Sequence, residues 1–252
     1  MKPPDTRPEG LVLGFETATI FGGVALVSRS GEPYGEISLR NQESHSERIL
    51  PAVEWLLNIL GLPPRSLAAV AVSCGPGSFT GLRAGIATAK GLAFSLGVPL
   101  FGIPTLEALA ANLPPEQGPV CAVLNARRGE IYHALFHSGP AGVARVGPDS
   151  LVPAASLAGK LPPGCLVIGD FAALQACSPV GSESFRFAPP HLNYPRASAI
   201  AILGGIALAE SRDSEISTLM PRYLRPCDAE AGQRSWRQFV RADAGLRALP
   251  LR

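Results

Sequence analysis

A glycine-rich turn between a buried strand and a long helix constrains this chain more than any other feature. The turn, GPGSFTG at Gly75–Gly81, follows an apolar run at 68–73 and precedes a helical pattern from about Leu82 to Leu96. Another apolar run at 99–103 completes a strand–helix–strand unit, which is the crossover found in parallel sheets. The sequence therefore predicts an α/β fold.

The first forty residues add strands of a different kind. The runs at 11–17 and 21–28 are rich in apolar and β-prone residues and are separated by only three residues, which predicts a hairpin. A third strand is predicted at 34–39, after a turn at 30–33. Antiparallel strands at the start and a parallel crossover after them indicate a mixed sheet.

A helix from about His45 to Leu60 is predicted between these strands and the crossover. Ser44 and Glu47 have the spacing of a capping box, and Gly61 ends the pattern. The helix carries apolar residues on more than one side: Leu50, Val53, Trp55, Leu57 and Ile59. Either the core under this helix is thick, or one side is kept for a partner.

Two lobes are predicted. The first spans 1–103 and is completed by 196–225, because the apolar helix at 197–210 must bury nearly all of its surface. The second spans 104–195, and its segment at 138–165 is rich in glycine and proline and shows no clear pattern. Residues 226–252 are predicted to form a basic tail. From Arg222 to Arg252 the sequence has seven arginines and only three acidic residues.

Composition excludes several classes of protein. No apolar run approaches the roughly 18 residues of a membrane span, and the opening residues MKPPDTRPEG lack the apolar core of a signal peptide. The five cysteines are odd in number and widely spaced, which excludes a disulfide scaffold and a zinc motif. We expect a soluble cytosolic protein.

Anion binding at the glycine-rich turn has two readings. Backbone N–H groups at a helix N-terminus suit a phosphate, but glycines also allow a tight turn with close packing. The turn is not a Walker loop, because Gly81 is followed by Leu82 and Arg83. Glu16 and Thr17 could likewise hold a magnesium–nucleotide complex or simply satisfy their own turn.

The histidines do not predict a catalytic or zinc site. His133 and His137 are four residues apart in a strand-like stretch, which places them about 13 Å from each other. No G-x-S-x-G motif is present for a serine nucleophile. The charged tip at 125–130 could contact an anionic partner or be an exposed turn.

Several segments resemble the TsaB family in the family's own order. They span residues 11–225 and are FETAT at 15–19, SHSERILP at 44–51, GPGSFTGLRAGIATAKG at 75–91, TLEAL at 105–109, ARRGEIY at 126–132 and YLR at 223–225. This resemblance implies a two-lobed actin-like fold with mixed sheets, shared with sugar kinases and heat-shock chaperone ATPases. It also implies a role beside TsaD in forming threonylcarbamoyl-adenosine in ANN-decoding tRNAs, at the adenosine 3′ of the anticodon.

The same resemblance implies a non-catalytic subunit. Where TsaD has two metal-binding histidines, this chain has Thr105 and Leu109, and neither can replace an imidazole ligand. Glu16 stands where the family usually has aspartate, and the extra methylene would displace the carboxylate by about an ångström. Two alternatives stay open: an ATPase or peptidase-like enzyme, and a tRNA-binding module that uses the arginine-rich tail.

Partners and ligands follow from the resemblance. The partners are TsaD in a heterodimer, the TsaE ATPase, tRNA reached through the complex, and a second copy when TsaD is absent, with no membrane contact. No cofactor of its own is expected, although the resemblance leaves room for ATP or ADP with Mg²⁺ at the complex interface. The nucleotide candidates are Glu16, Thr17, Gly75, Gly77, Ser78 and Thr80. The interface candidates are His45, Arg48, Leu50, Val53, Leu57, Arg83, Ile86 and Lys90.

Overall fold

The computed structural model describes residues 10–40, 48–170, 173 and 186–225. Within these ranges the chain forms two mixed sheets and four helices of six or more residues. The helices are α1 (Ile49–Ile59), α2 (Phe79–Leu96), α3 (Thr105–Ala110) and α4 (Ala197–Ala209). The strands are β1 (Leu11–Glu16), β2 (Phe21–Val27), β3 (Pro33–Arg40), β4 (Leu67–Gly75), β5 (Leu100–Pro104), β6 (Gly118–Asn125), β7 (Glu130–Gly139), β8 (Gly142–Arg145), β9 (Ser150–Pro153), β10 (Leu166–Gly169) and β11 (Arg186–Phe187).

The first sheet has the order β3-β2-β1-β4-β5. β1 pairs antiparallel with β2 and parallel with β4, and β5 continues the parallel half. The predicted hairpin and the predicted crossover therefore meet on β1, and the mixed sheet is confirmed.

The second sheet has the order β11-β10-β6-β7-β8, with β9 also paired to β7. It repeats the arrangement of the first sheet, because β6 pairs antiparallel with the strand after it and parallel with β10. The β6–β7 hairpin thus stands where the β1–β2 hairpin stands in the first sheet. The segment at 138–165, which gave no clear pattern, supplies β8 and β9.

Alternation along β1 separates the two faces of the first sheet. Leu11, Leu13 and Phe15 pack in one core with residues of α1 and α2, whereas Val12 packs with α4 in another. Helix α4 lies directly on β1, since a Cβ on Gly14 would come within 3.0 Å of the helix backbone. The expectation that α4 buries nearly all of its surface is wrong, because Ile202 and Ile206 are exposed.

One of the two predicted helix starts is corrected. Helix α1 begins at Ile49 with Arg48 as its N-cap, and the predicted start at His45 lies outside the described residues. Helix α2 begins at Phe79, three residues before the predicted position, because the Ser78 side chain accepts a hydrogen bond from the Gly81 N–H and caps the helix there.

Residues 214–225, the C-terminal strap, cover the outer edge of β5. Leu100 donates its N–H to Ser214 Oγ (3.1 Å) and accepts from the Glu215 N–H (2.8 Å). These bonds satisfy backbone groups that an edge strand would otherwise expose. Within the described residues, no helix is both long and apolar enough to span a membrane. The division into lobes at 103/104 and 195/196 stays a prediction.

Candidate functional site

The carboxyl group of Glu16 is sealed inside the protein at the end of β1. The residue is buried, and its Oε1 accepts a hydrogen bond from the Ala18 N–H at 2.7 Å. Burial raises the pKa of Glu16 to about 8, so the carboxyl is largely protonated at neutral pH. A neutral, enclosed carboxyl is a poor ligand for Mg²⁺, which prefers ionised oxygen ligands that it shares with water.

The glycine-rich turn is packed against the β1–β2 hairpin. The Ser78 N–H donates to the Ala18 carbonyl at 2.7 Å, and the Gly75 N–H donates to Thr105 Oγ1 at 3.2 Å. A Cβ on Gly77 would lie 2.5 Å from the Ala18 oxygen, so glycine is needed for this close approach. The geometry favours the tight-turn reading over the phosphate-cradle reading.

The six nucleotide candidates come together here, but they differ in accessibility. Glu16, Thr17 and Gly75 are buried, Gly77 is half-buried, and Ser78 and Thr80 are exposed. Nucleotide binding at this turn stays a prediction, and a ligand would reach it from the side of the exposed pair.

The two positions that correspond to TsaD's metal-binding histidines lie in the protein interior. Thr105 and Leu109 are both fully buried on α3, and Leu109 packs in the core under the second sheet. Elsewhere, His133 is buried on β7, where desolvation lowers its pKa, and His137 is exposed. Over the described ranges there is no group of three or more His, Cys, Asp or Glu side chains that could hold a metal ion.

The interface candidates on the helices divide into a surface set and a core set. Val53 and Leu57 are only 5% and 6% exposed and pack under α1, and Ile86 is buried under α2. Their placement on a partner surface is therefore wrong, because the first sheet already covers them. Arg48, Leu50 and Arg83 are exposed, Lys90 is half-buried, and His45 lies outside the described residues.

Helix α1 exposes three large apolar side chains. Leu50 is 50%, Trp55 55% and Ile59 62% exposed. On the same face of the sheet, Phe94 of α2 projects into solvent and is 79% exposed. Two helices that pack on one face of a sheet and each expose large apolar side chains form a candidate protein interface, which we call the α1/α2 face (Leu50, Trp55, Ile59 and Phe94).

A second surface feature joins the start of α2 to the C-terminal strap. The Phe79 and Tyr223 rings stack with centroids 5.0 Å apart, and the Arg83 guanidinium lies 3.9 Å from the Phe79 centroid. Arg83 Nε also donates to the Tyr223 hydroxyl at 3.0 Å. The sequence identified Arg83 as a candidate interface residue. It did not predict the contact between Phe79 and Tyr223, because these residues are more than a hundred positions apart.

The strap then reaches the second sheet. The Arg222 N–H donates to the Cys74 carbonyl at the end of β4 (2.7 Å), and Arg225 Nη1 donates to the Ala126 carbonyl in the β6–β7 turn (2.7 Å). Arg225 also forms an ion pair with Glu130. The C-terminal strap is therefore hydrogen-bonded both to the end of β4 in the first sheet and to the β6–β7 turn of the second sheet.

Comparison with known proteins places this geometry in a family. Residues 36–232 match the family model described as "TsaD: tRNA N6-adenosine threonylcarbamoyltransferase". The tRNA threonylcarbamoyladenosine biosynthesis protein TsaB of Bacillus subtilis is 34% identical over 227 residues, which cover 87% of this chain and 96% of that protein. The Escherichia coli protein of the same name is 37% identical over 134 residues, which cover 52% of this chain and 57% of that protein.

Solved structures agree on the fold. YeaZ from Pseudomonas aeruginosa superposes with a TM-score of 0.73 and 26% identity, covering 85% of this chain and all of that one. The ethanolamine utilization protein EutJ from Carboxydothermus hydrogenoformans superposes with a TM-score of 0.51 at 13% identity, covering 79% of this chain and 92% of that one, and shows the fold alone. The predicted actin-like α/β class with mixed sheets is confirmed.

Proposed function

Since this chain belongs to the TsaB family of tRNA threonylcarbamoyladenosine biosynthesis proteins, we propose that it binds TsaD and activates it for threonylcarbamoyl transfer to tRNA. The acceptor in this proposal is the adenosine 3′ of the anticodon in ANN-decoding tRNAs. The chain itself supplies no catalytic group.

The observation that carries the proposal is the α1/α2 face. Helices α1 and α2 both pack on one side of the first sheet, yet each keeps apolar side chains turned to solvent. Burying such side chains in a partner's helices removes apolar area from water at roughly 25 cal/mol per Å². A TsaD molecule with the same fold would offer matching helices, and a second copy of this chain would occupy the face when TsaD is absent.

A supporting role is consistent with the interior of the chain. The side chains at 105 and 109 are buried, and neither offers the imidazole with which TsaD binds its metal. The protonated Glu16 lies at the end of β1, where the family usually has aspartate. In the proposed complex, TsaE joins the pair and ATP or ADP with Mg²⁺ binds at the interface, while TsaD performs the transfer.

The decisive experiment changes one exposed apolar residue on the α1/α2 face. Ile59→Glu should weaken TsaD binding by about 2–4 kcal/mol, or roughly 30- to 900-fold, if Ile59 lies at the centre of the interface. Binding is measured by size-exclusion chromatography and calorimetry with TsaD, and activity by modification of an ANN-decoding tRNA with each protein omitted in turn.

Ile206→Glu is the matched control, because Ile206 is 49% exposed on α4, which packs on the opposite face of the same sheet. It should bind TsaD and support modification as the wild type does. If Ile59→Glu is folded by circular dichroism and still binds TsaD normally, the interface lies elsewhere and the proposal loses its main support.

A further inference from the structure

A groove with a volume of about 780 Å³ lies between α4 and the C-terminal strap. Its apolar lining includes Ile206 of α4 and Met220 of the strap, which are 49% and 70% exposed. Leu203 and Val143, both half-buried, extend this lining to β8. A concave apolar surface of this size is typical of a binding site. We call it the α4 groove (Val143, Leu203, Ile206, Glu210 and Met220).

The charged side chains of the groove differ in how far they are already paired. Glu107 forms an ion pair with Arg145 at 3.2 Å, and Glu215 forms one with Arg212 at 3.5 Å. The carboxylate of Glu210, at the end of α4, has no ion pair or hydrogen bond within the described residues. The groove thus combines an apolar lining with the Glu210 carboxylate, which suits a segment that carries both apolar and basic residues.

The chain itself supplies such a segment after the strap. Residues 234–241, the tail segment, read RSWRQFVR and contain three arginines and no acidic residue. At 3.6 residues per turn, a helix over this segment would place Trp236, Phe239 and Val240 on one side and the arginines on the opposite side. Such a pattern is typical of an amphipathic helix that lays its apolar side into a groove. The tail segment lies outside the described residues.

The groove lies within reach of the tail segment. Met220 is five residues before Arg225, so their Cα atoms are at most about 18 Å apart. Trp236 is eleven residues after Arg225, and an extended chain of that length spans up to about 40 Å. The chain can therefore turn back at the end of the strap and return to the groove.

We propose that the tail segment docks in the α4 groove as an amphipathic helix, with Trp236 and Phe239 against Ile206 and Met220 and an arginine beside Glu210. This goes beyond the proposed function and does not depend on TsaD. The α1/α2 face fits the tail segment less well, because α2 carries Arg83 and Lys90 and no acidic residue. Like charges on the two surfaces would repel each other.

The test uses Trp236 as a fluorescent reporter of docking. The chain has two tryptophans, Trp55 and Trp236, so the full chain with Trp55→Phe reports on Trp236 alone. We expect a blue-shifted emission and weaker quenching by acrylamide than in a free peptide with the sequence of residues 226–252. Ile206→Glu, added to this protein, should lower the docking equilibrium constant by at least about tenfold, because it replaces a buried aliphatic contact with a charge. The emission should then shift to the red and the quenching should increase.

Glu210→Lys tests the charge of the groove without changing its apolar lining. It should lower the docking equilibrium constant by about two- to fivefold at low salt, and by less at high salt, because an exposed ion pair is weak and is screened. Asp213→Lys is the matched control, because Asp213 is exposed nearby and does not line the groove. It makes the same change of charge and should leave the signal of Trp236 unchanged.

Three outcomes would overturn the proposal. Trp236 could be quenched as readily in the full chain as in the free peptide. Its signal could stay the same in Glu210→Lys and in an Ile206→Glu protein that is folded by circular dichroism. Ile59→Glu could instead release Trp236, which would place the tail segment on the α1/α2 face. A signal that depends on protein concentration would also refute docking within one chain, because the tail segment would then occupy the groove of a second copy.

Discussion

Replacing Glu16 with glutamine should stabilise the protein at neutral pH and remove much of the pH dependence of its stability. Glutamine has nearly the same shape and carries no charge at any pH. The free energy gained therefore reports how strongly burial disfavours the ionised carboxyl of Glu16.

The sign follows from the two pKa values of Glu16. Its pKa rises from 4.5 in the unfolded chain to about 8 in the folded protein, mainly because of burial. Below pH 4.5 both states are protonated, and the contribution to stability is fully present. Between pH 4.5 and 8 only the unfolded state ionises, so the free energy of unfolding falls as pH rises, by about 1.4 kcal/mol per pH unit.

At pH 7 the burial of the ionisable Glu16 carboxyl lowers the free energy of unfolding of the wild type by roughly 3 kcal/mol. Glu16→Gln should restore this amount. For a chain of this size the gain corresponds to roughly 6–12 °C in Tm. Urea unfolding at pH 5, 6, 7 and 8 gives the free energy of unfolding for both proteins, and the difference between them isolates residue 16.

Glu54→Gln is the control, because it makes the same carboxyl-to-amide change at an exposed position of α1, and it should change the free energy of unfolding by no more than about 0.5 kcal/mol. The reasoning is refuted if the wild type and Glu16→Gln differ by the same amount at pH 5 and pH 8. That result would mean that the buried carboxyl of Glu16 ionises at an ordinary pH.

Two further predictions concern packing. Gly85→Ala should lower the free energy of unfolding by about 1–2 kcal/mol, because its Cβ would come within 3.0 Å of the Thr17 side chain. Gly91→Ala, on the open side of the same helix, should raise the free energy of unfolding by about 1 kcal/mol. Urea unfolding measures both. Val53→Glu should abolish the circular dichroism signal of the folded protein, because it buries a charge in the core at a cost of several kcal/mol, while Ile59→Glu should keep that signal. A folded Val53→Glu protein would place that residue on the surface.

Local patterns predicted the strands and helices that their own residues determine. Examples are the β1–β2 hairpin and the strand–helix–strand unit around α2. In both, the periodic apolar residues and the turn residues that define the elements lie within a few positions of each other. The ends of the helices shifted by a few residues where a single side chain, such as Ser78, decides the cap. Strands β8 and β9 were missed because glycine and proline interrupt their pattern and pairing with β7 creates them.

The candidate site was predicted in location but not in accessibility. Apolar residues surround α1, so the sequence could not tell Val53, which packs on the sheet, from Trp55, which faces solvent. The hydrogen bond from Gly75 to Thr105 joins residues thirty positions apart, and the stack of Phe79 on Tyr223 joins residues even farther apart. Only the tertiary structure brings these groups together.

The position of α4 bears on how the chain emerges from the ribosome. All five strands of the first sheet precede residue 105, but the helix that covers their second face ends at Ala209. Translation proceeds at about 5–20 residues per second. The apolar surface formed by Val12, Ala71 and Phe101 is therefore uncovered for roughly 5–20 s before α4 has been synthesised. The nascent chain thus leaves the ribosome with one face of this sheet uncovered, and a chaperone that shields this face would act before α4 is made.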